Sequence, residues 1–118
     1  MAQFRFQDLE IWKNAIEIGD KLLDIADQLE DKKLYRFAEQ LRGAGLSVSN
    51  NIAEGSGSTS KAEFRQFLNI ARRSAFEDAN ILIVMQRRAL LPLSDLSNLL
   101  DNLETLCRRI TAFQGTLH

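Results

Sequence analysis

The strongest constraint on this 118-residue chain is a seam of apolar residues near its start. Ile11, Ala15, Ile18, Leu22, Ile25 and Leu29 recur at alternating steps of four and three. That spacing lines one stripe of an α-helix and buries it against neighbouring helices. Trp12, Leu23 and Ala26 widen the stripe, while Lys13, Glu17, Asp20, Lys21, Asp24 and Gln28 occupy the opposite face. Pro92 is the one proline, so little interrupts long helices elsewhere.

The pattern predicts four helices, over about residues 8–30, 32–54, 60–89 and 94–114. Asp31 reads as the N-cap of the second, which buries Leu34, Phe37, Leu41, Ala44, Val48 and Ile52. Gly43 and Gly45 sit in its middle, where glycine costs about 1 kcal/mol against alanine. They read either as tolerated weak helix formers or as a place where another backbone comes close. Ser60 and Glu63 have capping-box spacing and open the third helix, whose face is Phe64, Phe67, Leu68, Ala71, Ala75, Leu82 and Met85. Ser94 and Asp95 open the fourth, with Leu96, Leu99, Leu100, Leu103, Leu106, Cys107, Ile110 and Phe113 inward. Short connections predict an all-α, antiparallel up-down-up-down four-helix bundle forming a single domain over 1–118. Asp78 falls within the third helix's apolar face and implies either a buried partner or a wetted interface.

Chemistry is sparse. His118 is the one histidine, Cys107 has no second cysteine, and no Glu-x-x-His pair exists. Gly55-Ser56-Gly57 lacks the lysine of a phosphate-binding loop. No enzyme activity, cofactor or metal is expected. The single cysteine, the missing basic-then-apolar leader and the short apolar run Ile81 to Met85 predict a cytoplasmic protein with no membrane partner.

Charge is unevenly spread. Residues 1–57 carry seven basic and ten acidic side chains, and residues 58–118 eight and six. Lys61, Arg65, Arg72, Arg73 and Arg87 gather on one side of the third helix with Asn69, Phe76 and Asn80. This is either a solvated face or a rail that tracks phosphates, a candidate nucleic-acid-binding surface. On the second helix Arg36, Gln40, Ser47, Asn51 and Glu54 form a polar stripe, with Ser74 and Glu77 as candidate partners on the third. The stripe is either solvated or a hydrogen-bonded network within the bundle or between subunits. The first helix's breadth, through Ile11, Trp12 and Leu23, predicts a self-association face.

The stretch Gln40 to Gly57, containing Ser47-x-x-x-Asn51-Ile52-Ala53-Glu54-Gly55, resembles the 23S rRNA intervening-sequence protein family. So do Ser60-x-x-Glu63-Phe64-x-x-Phe67-Leu68 to Glu77 and the opening Phe6-x-Asp8-Leu9-x-Ile11-Trp12-x-x-Ala15. The resemblance implies an antiparallel four-helix bundle, no catalytic residues, and a homo-oligomer, with a homopentamer as the expected assembly. It also implies an RNA or nucleic-acid-processing partner. Some members are encoded within insertions in large-subunit rRNA genes, and a related branch serves diversity-generating retroelements by binding nucleic acid and a reverse transcriptase. This chain departs from the pattern at Gly43, Gly45, Ser49, Ser58, Arg73 and Asp78, and it lacks that branch's strong basicity. The functional expectation is a non-enzymatic RNA or ribonucleoprotein adaptor. The alternative is a protein-interaction scaffold that binds no nucleic acid.

Overall fold

The apolar seam becomes α1, Glu10–Asp31, in a computed structural model that describes residues 1–118. A short 3-10 turn, Arg5–Asp8, precedes it and lays Phe6 against Trp12, with ring centroids 5.1 Å apart. Helices α2 (Tyr35–Ser56), α3 (Lys61–Arg87) and α4 (Leu93–Gln114) follow, and there is no strand. Helices adjacent in sequence pack together, α4 closes against α1, and the backbones of the diagonal pairs α1/α3 and α2/α4 stay apart. Residue pairs across the seams run in opposite order. Arg42 meets Asp27 and Glu30 while Gly45 meets Leu22; Arg65 meets Gln114 while Arg72 meets Cys107. Neighbouring helices are therefore antiparallel. The core contains Leu22, Leu41, Ile52, Leu68, Leu82, Met85 and Leu106, all essentially without solvent contact.

The first boundary differs from the sequence expectation. Asp31 is the last residue of α1 and caps nothing; α2 begins at Tyr35, not Lys32. Lys33 takes the left-handed conformation (φ 64°), its N–H donates to the Glu30 carbonyl, and that of Leu34 donates to Leu29. This is a Schellman termination, which turns the chain and brings Leu34 back onto the core. The α3 terminus repeats it: Ala89 (φ 58°) donates to Gln86 and Leu90 donates to Met85. The capping box is half formed. Ser60 Oγ accepts from the Glu63 N–H at 3.2 Å, but the Glu63 carboxylate turns to the Ser58 hydroxyl.

The two mid-helix glycines separate. A Cβ on Gly45 would lie 3.3 Å from Leu22, and one on Gly19 would lie 3.5 Å from the Gly45 carbonyl oxygen. Here α1 and α2 come close backbone to backbone. Gly43 faces open space. Phe37 and Phe67 are only half-buried, and Ala38 takes the core position instead of Phe37.

Asp78 fits neither alternative drawn from the sequence. It is 0% exposed, and neither carboxylate oxygen has a hydrogen-bond partner. Burial, with a smaller contribution from Glu77, pushes its carboxyl from the ordinary 3.8 up to about 7.

Candidate nucleic-acid interface

Helix α3 is 27 residues long, about 40 Å at the α-helical rise. Lys61, Arg73 and Arg87 are exposed along it. Arg65 and Arg72 are half-buried because they lean toward α4. The Arg65 guanidinium donates to the Leu117 carbonyl, and Gln114 Nε2 donates back to the Arg65 carbonyl at 2.9 Å. Arg65 therefore also anchors the C-terminal turn. Arg72 lies over the Phe76 ring, 5.1 Å from its centroid, and its Nε–H is buried with no acceptor.

The ion pairs of the molecule lie elsewhere. They join Lys13 to Glu10, Arg42 to Asp27 and Glu30, and Arg108 to Glu104. Hydrogen bonds donated to these carboxylates raise the pKa of Arg42 and of Arg108. None of the five α3 cations has a carboxylate partner. With Asp78 buried, only Glu63 and Glu77 oppose them on the exposed surface of α3. Helix α1, by contrast, carries seven acidic and two basic residues and lies diagonally across the bundle. The separation matters because charges further apart than a Debye length of about 10 Å at 0.1 M salt are largely screened.

A cleft of about 640 Å³ opens between α3 and α4 beside this surface. Its floor includes Ala75, Ala79, Leu103 and Cys107, and its rim includes Arg72, Phe76, Glu104 and Arg108. Burial pushes the Cys107 thiol up, opposed by the nearby Arg72 charge. The cation stripe was legible in the sequence, whereas the cleft was not. Its one sequence signal is the small pair Ala75 and Ala79, four residues apart on the α4 side of α3.

The polar stripe is partly knitted together. Ser74 Oγ donates to the Ile70 carbonyl at 3.0 Å, so Ser47 donates across the 2.8 Å contact to Ser74. Asn51 Nδ2 donates to the Ser47 carbonyl at 2.8 Å and to Ser47 Oγ at 3.1 Å. Ser47, Asn51 and Ser74 thus pin α2 to α3. Arg36, Gln40, Glu54 and Glu77 remain exposed, and none of the three charged ones forms an ion pair. The predicted self-association face needs correction. Ile11 belongs to the bundle's own core, because the α1 seam faces α2 and α4 within one chain. Trp12 and Leu23 are half-buried, while the large exposed apolar side chains include Tyr35, Leu46, Ile70, Phe76 and Leu93.

No group of acidic, histidine or cysteine side chains is arranged to hold a metal ion. No helix is long and apolar enough to cross a membrane. No curated protein matches the chain. The family model of the 23S rRNA-intervening sequence protein matches residues 7–112, which contain the seam residues from Ile11 to Ile110 and every α3 cation. The chain therefore belongs to the 23S rRNA-intervening sequence protein family.

Proposed function

We propose that this protein is a non-catalytic, cytoplasmic adaptor that self-associates and binds RNA or a ribonucleoprotein through the exposed side of α3. The observation that carries the reading is the absence of any carboxylate partner for Lys61, Arg65, Arg72, Arg73 and Arg87. Five cations on one helix, three of them exposed and all diagonal to the acidic helix, make a local positive field on a nearly neutral protein. Arginine on a helix face engages phosphate without reading bases, so binding is expected to depend weakly on sequence.

Self-association is supported by exposed Leu46, which follows Gly45 at the α1 contact, and by Trp12 and Leu23, which the bundle leaves only half-buried. A closed homopentamer is the assembly in view. It would present several α3 surfaces together and gain avidity from weak single contacts. The competing reading is a protein scaffold with no nucleic-acid binding, favoured by the exposed Tyr35 and Leu93.

An anisotropy titration with mixed-sequence RNA over a range of salt separates the two. Binding that weakens by about 0.7–0.9 log units per log unit of salt for each phosphate contacted supports the RNA reading. Absence of binding at roughly 50 mM salt, where phosphate contacts are strong, leaves the scaffold.

A further inference from the structure

The α3/α4 cleft combines features that a phosphate rail by itself does not require. Phe76 is 58% exposed and contributes almost nothing to the core, yet it stands among cations and beside a concave apolar surface. Arg72 covers part of the ring and keeps one buried N–H without an acceptor. At about 640 Å³ the cleft falls within the roughly 300–1,000 Å³ of small-ligand sites. Its floor at Ala75, Ala79 and Cys107 is made of small side chains. Across the cleft Glu104 already takes up Arg108, so a phosphate is drawn to the α3 rim and not to the α4 rim.

A duplex keeps its base faces inside the stack and offers a helix face only phosphates and groove edges. A single strand offers a phosphate and, next to it, an apolar π-face, which matches an unpaired arginine beside an exposed ring and an apolar recess. We propose, resting on the RNA reading above, that the ligand is single-stranded RNA. One unpaired base stacks on the exposed part of Phe76 and enters the α3/α4 cleft, and the Arg72 charge on the cleft rim draws the adjoining phosphate. Arg73 and Arg87 hold flanking phosphates. Because every base has a π-face, this arrangement selects strandedness more than sequence.

The test titrates the full chain at low salt with a short mixed-sequence RNA strand and with the same strand annealed to its complement. The wild type should prefer the single strand. Phe76→Leu keeps an apolar side chain but removes the π-face, and should weaken single-strand binding about ten-fold while leaving duplex binding unchanged. Phe76→Trp should retain the single-strand affinity, and Ala79→Leu, which fills the cleft, should lower it. Circular dichroism confirms that each variant keeps its helices. Equal affinity for strand and duplex, or a Phe76→Leu protein that binds the strand as the wild type does, overturns the inference while the phosphate rail stands. A wild type that binds neither RNA removes both.

Discussion

Asp78 supplies a stability effect large enough to read directly. Its carboxyl is held at about 7 in the folded state against 3.8 in the open chain. A raised carboxyl pKa means that the folded state resists ionisation. The associated stability is therefore fully present below pH 3.8 and is lost as the pH rises through about 7. At about 1.4 kcal/mol per pKa unit, the full loss is about 4 kcal/mol, of which about 3 kcal/mol falls between pH 5 and pH 8. This is a large share of the roughly 5–15 kcal/mol that holds a domain folded. Asp78→Asn is nearly isosteric and cannot ionise. It should exceed the wild type by about 4 kcal/mol at pH 8 and by about 2 kcal/mol at pH 5. Urea unfolding followed by circular dichroism at both pH values measures this. If the wild type and Asp78→Asn lose the same stability between pH 5 and pH 8, the carboxyl is not buried unpaired and the reasoning fails.

Further outcomes follow from the backbone. Gly55→Ala would place a Cβ 2.7 Å from Phe67 Cβ and 2.9 Å from Phe64 Cδ1, so crowding should outweigh the helix-propensity gain and lower stability by about 1–2 kcal/mol in thermal unfolding. Gly43→Ala meets nothing within 4 Å and should raise stability by about 0.5–1 kcal/mol in the same assay. Ala89→Gly relieves a left-handed alanine and should stabilise by about 0.5–1 kcal/mol, the strain removed exceeding the added freedom of the unfolded chain; a lower melting temperature would contradict this. Light scattering should report a mass several times the 13.4 kDa chain, and a persistent monomer would remove the avidity argument.

The helices were legible because their cores repeat at 3.6 residues, which Ile11 to Leu29 obey without interruption. Their ends were not. Lys33 and Ala89 adopt a conformation that glycine or asparagine usually marks, so nothing at position 33 announced the Schellman turn, and Asp31 read as a cap. Position on a helix face marked Ser47, Asn51 and Ser74 as candidates for one seam, since a polar stripe bordering an apolar face must meet a neighbour or water. It did not separate them from Glu54 and Glu77, which differ only in how far they reach outward. The five α3 cations were legible as a cluster. That Arg65 also holds the Leu117 carbonyl, 52 residues along the chain, depends on where α4 ends against α3. The α3/α4 cleft likewise depends on small residues from two helices meeting at one level.

The central claim is that the unpaired α3 cations, and not net charge, bind RNA. It is tested most directly by two double variants that each remove two positive charges. Arg73→Gln/Arg87→Gln removes exposed cations without carboxylate partners, whereas Lys13→Gln/Arg42→Gln removes cations already paired with Glu10, Asp27 and Glu30. In RNA titrations across salt, the first pair should weaken binding and reduce the salt slope by about one to two units, and the second should leave the slope at its wild-type value. Equal losses from both pairs, or an unchanged slope in Arg73→Gln/Arg87→Gln, would contradict the account.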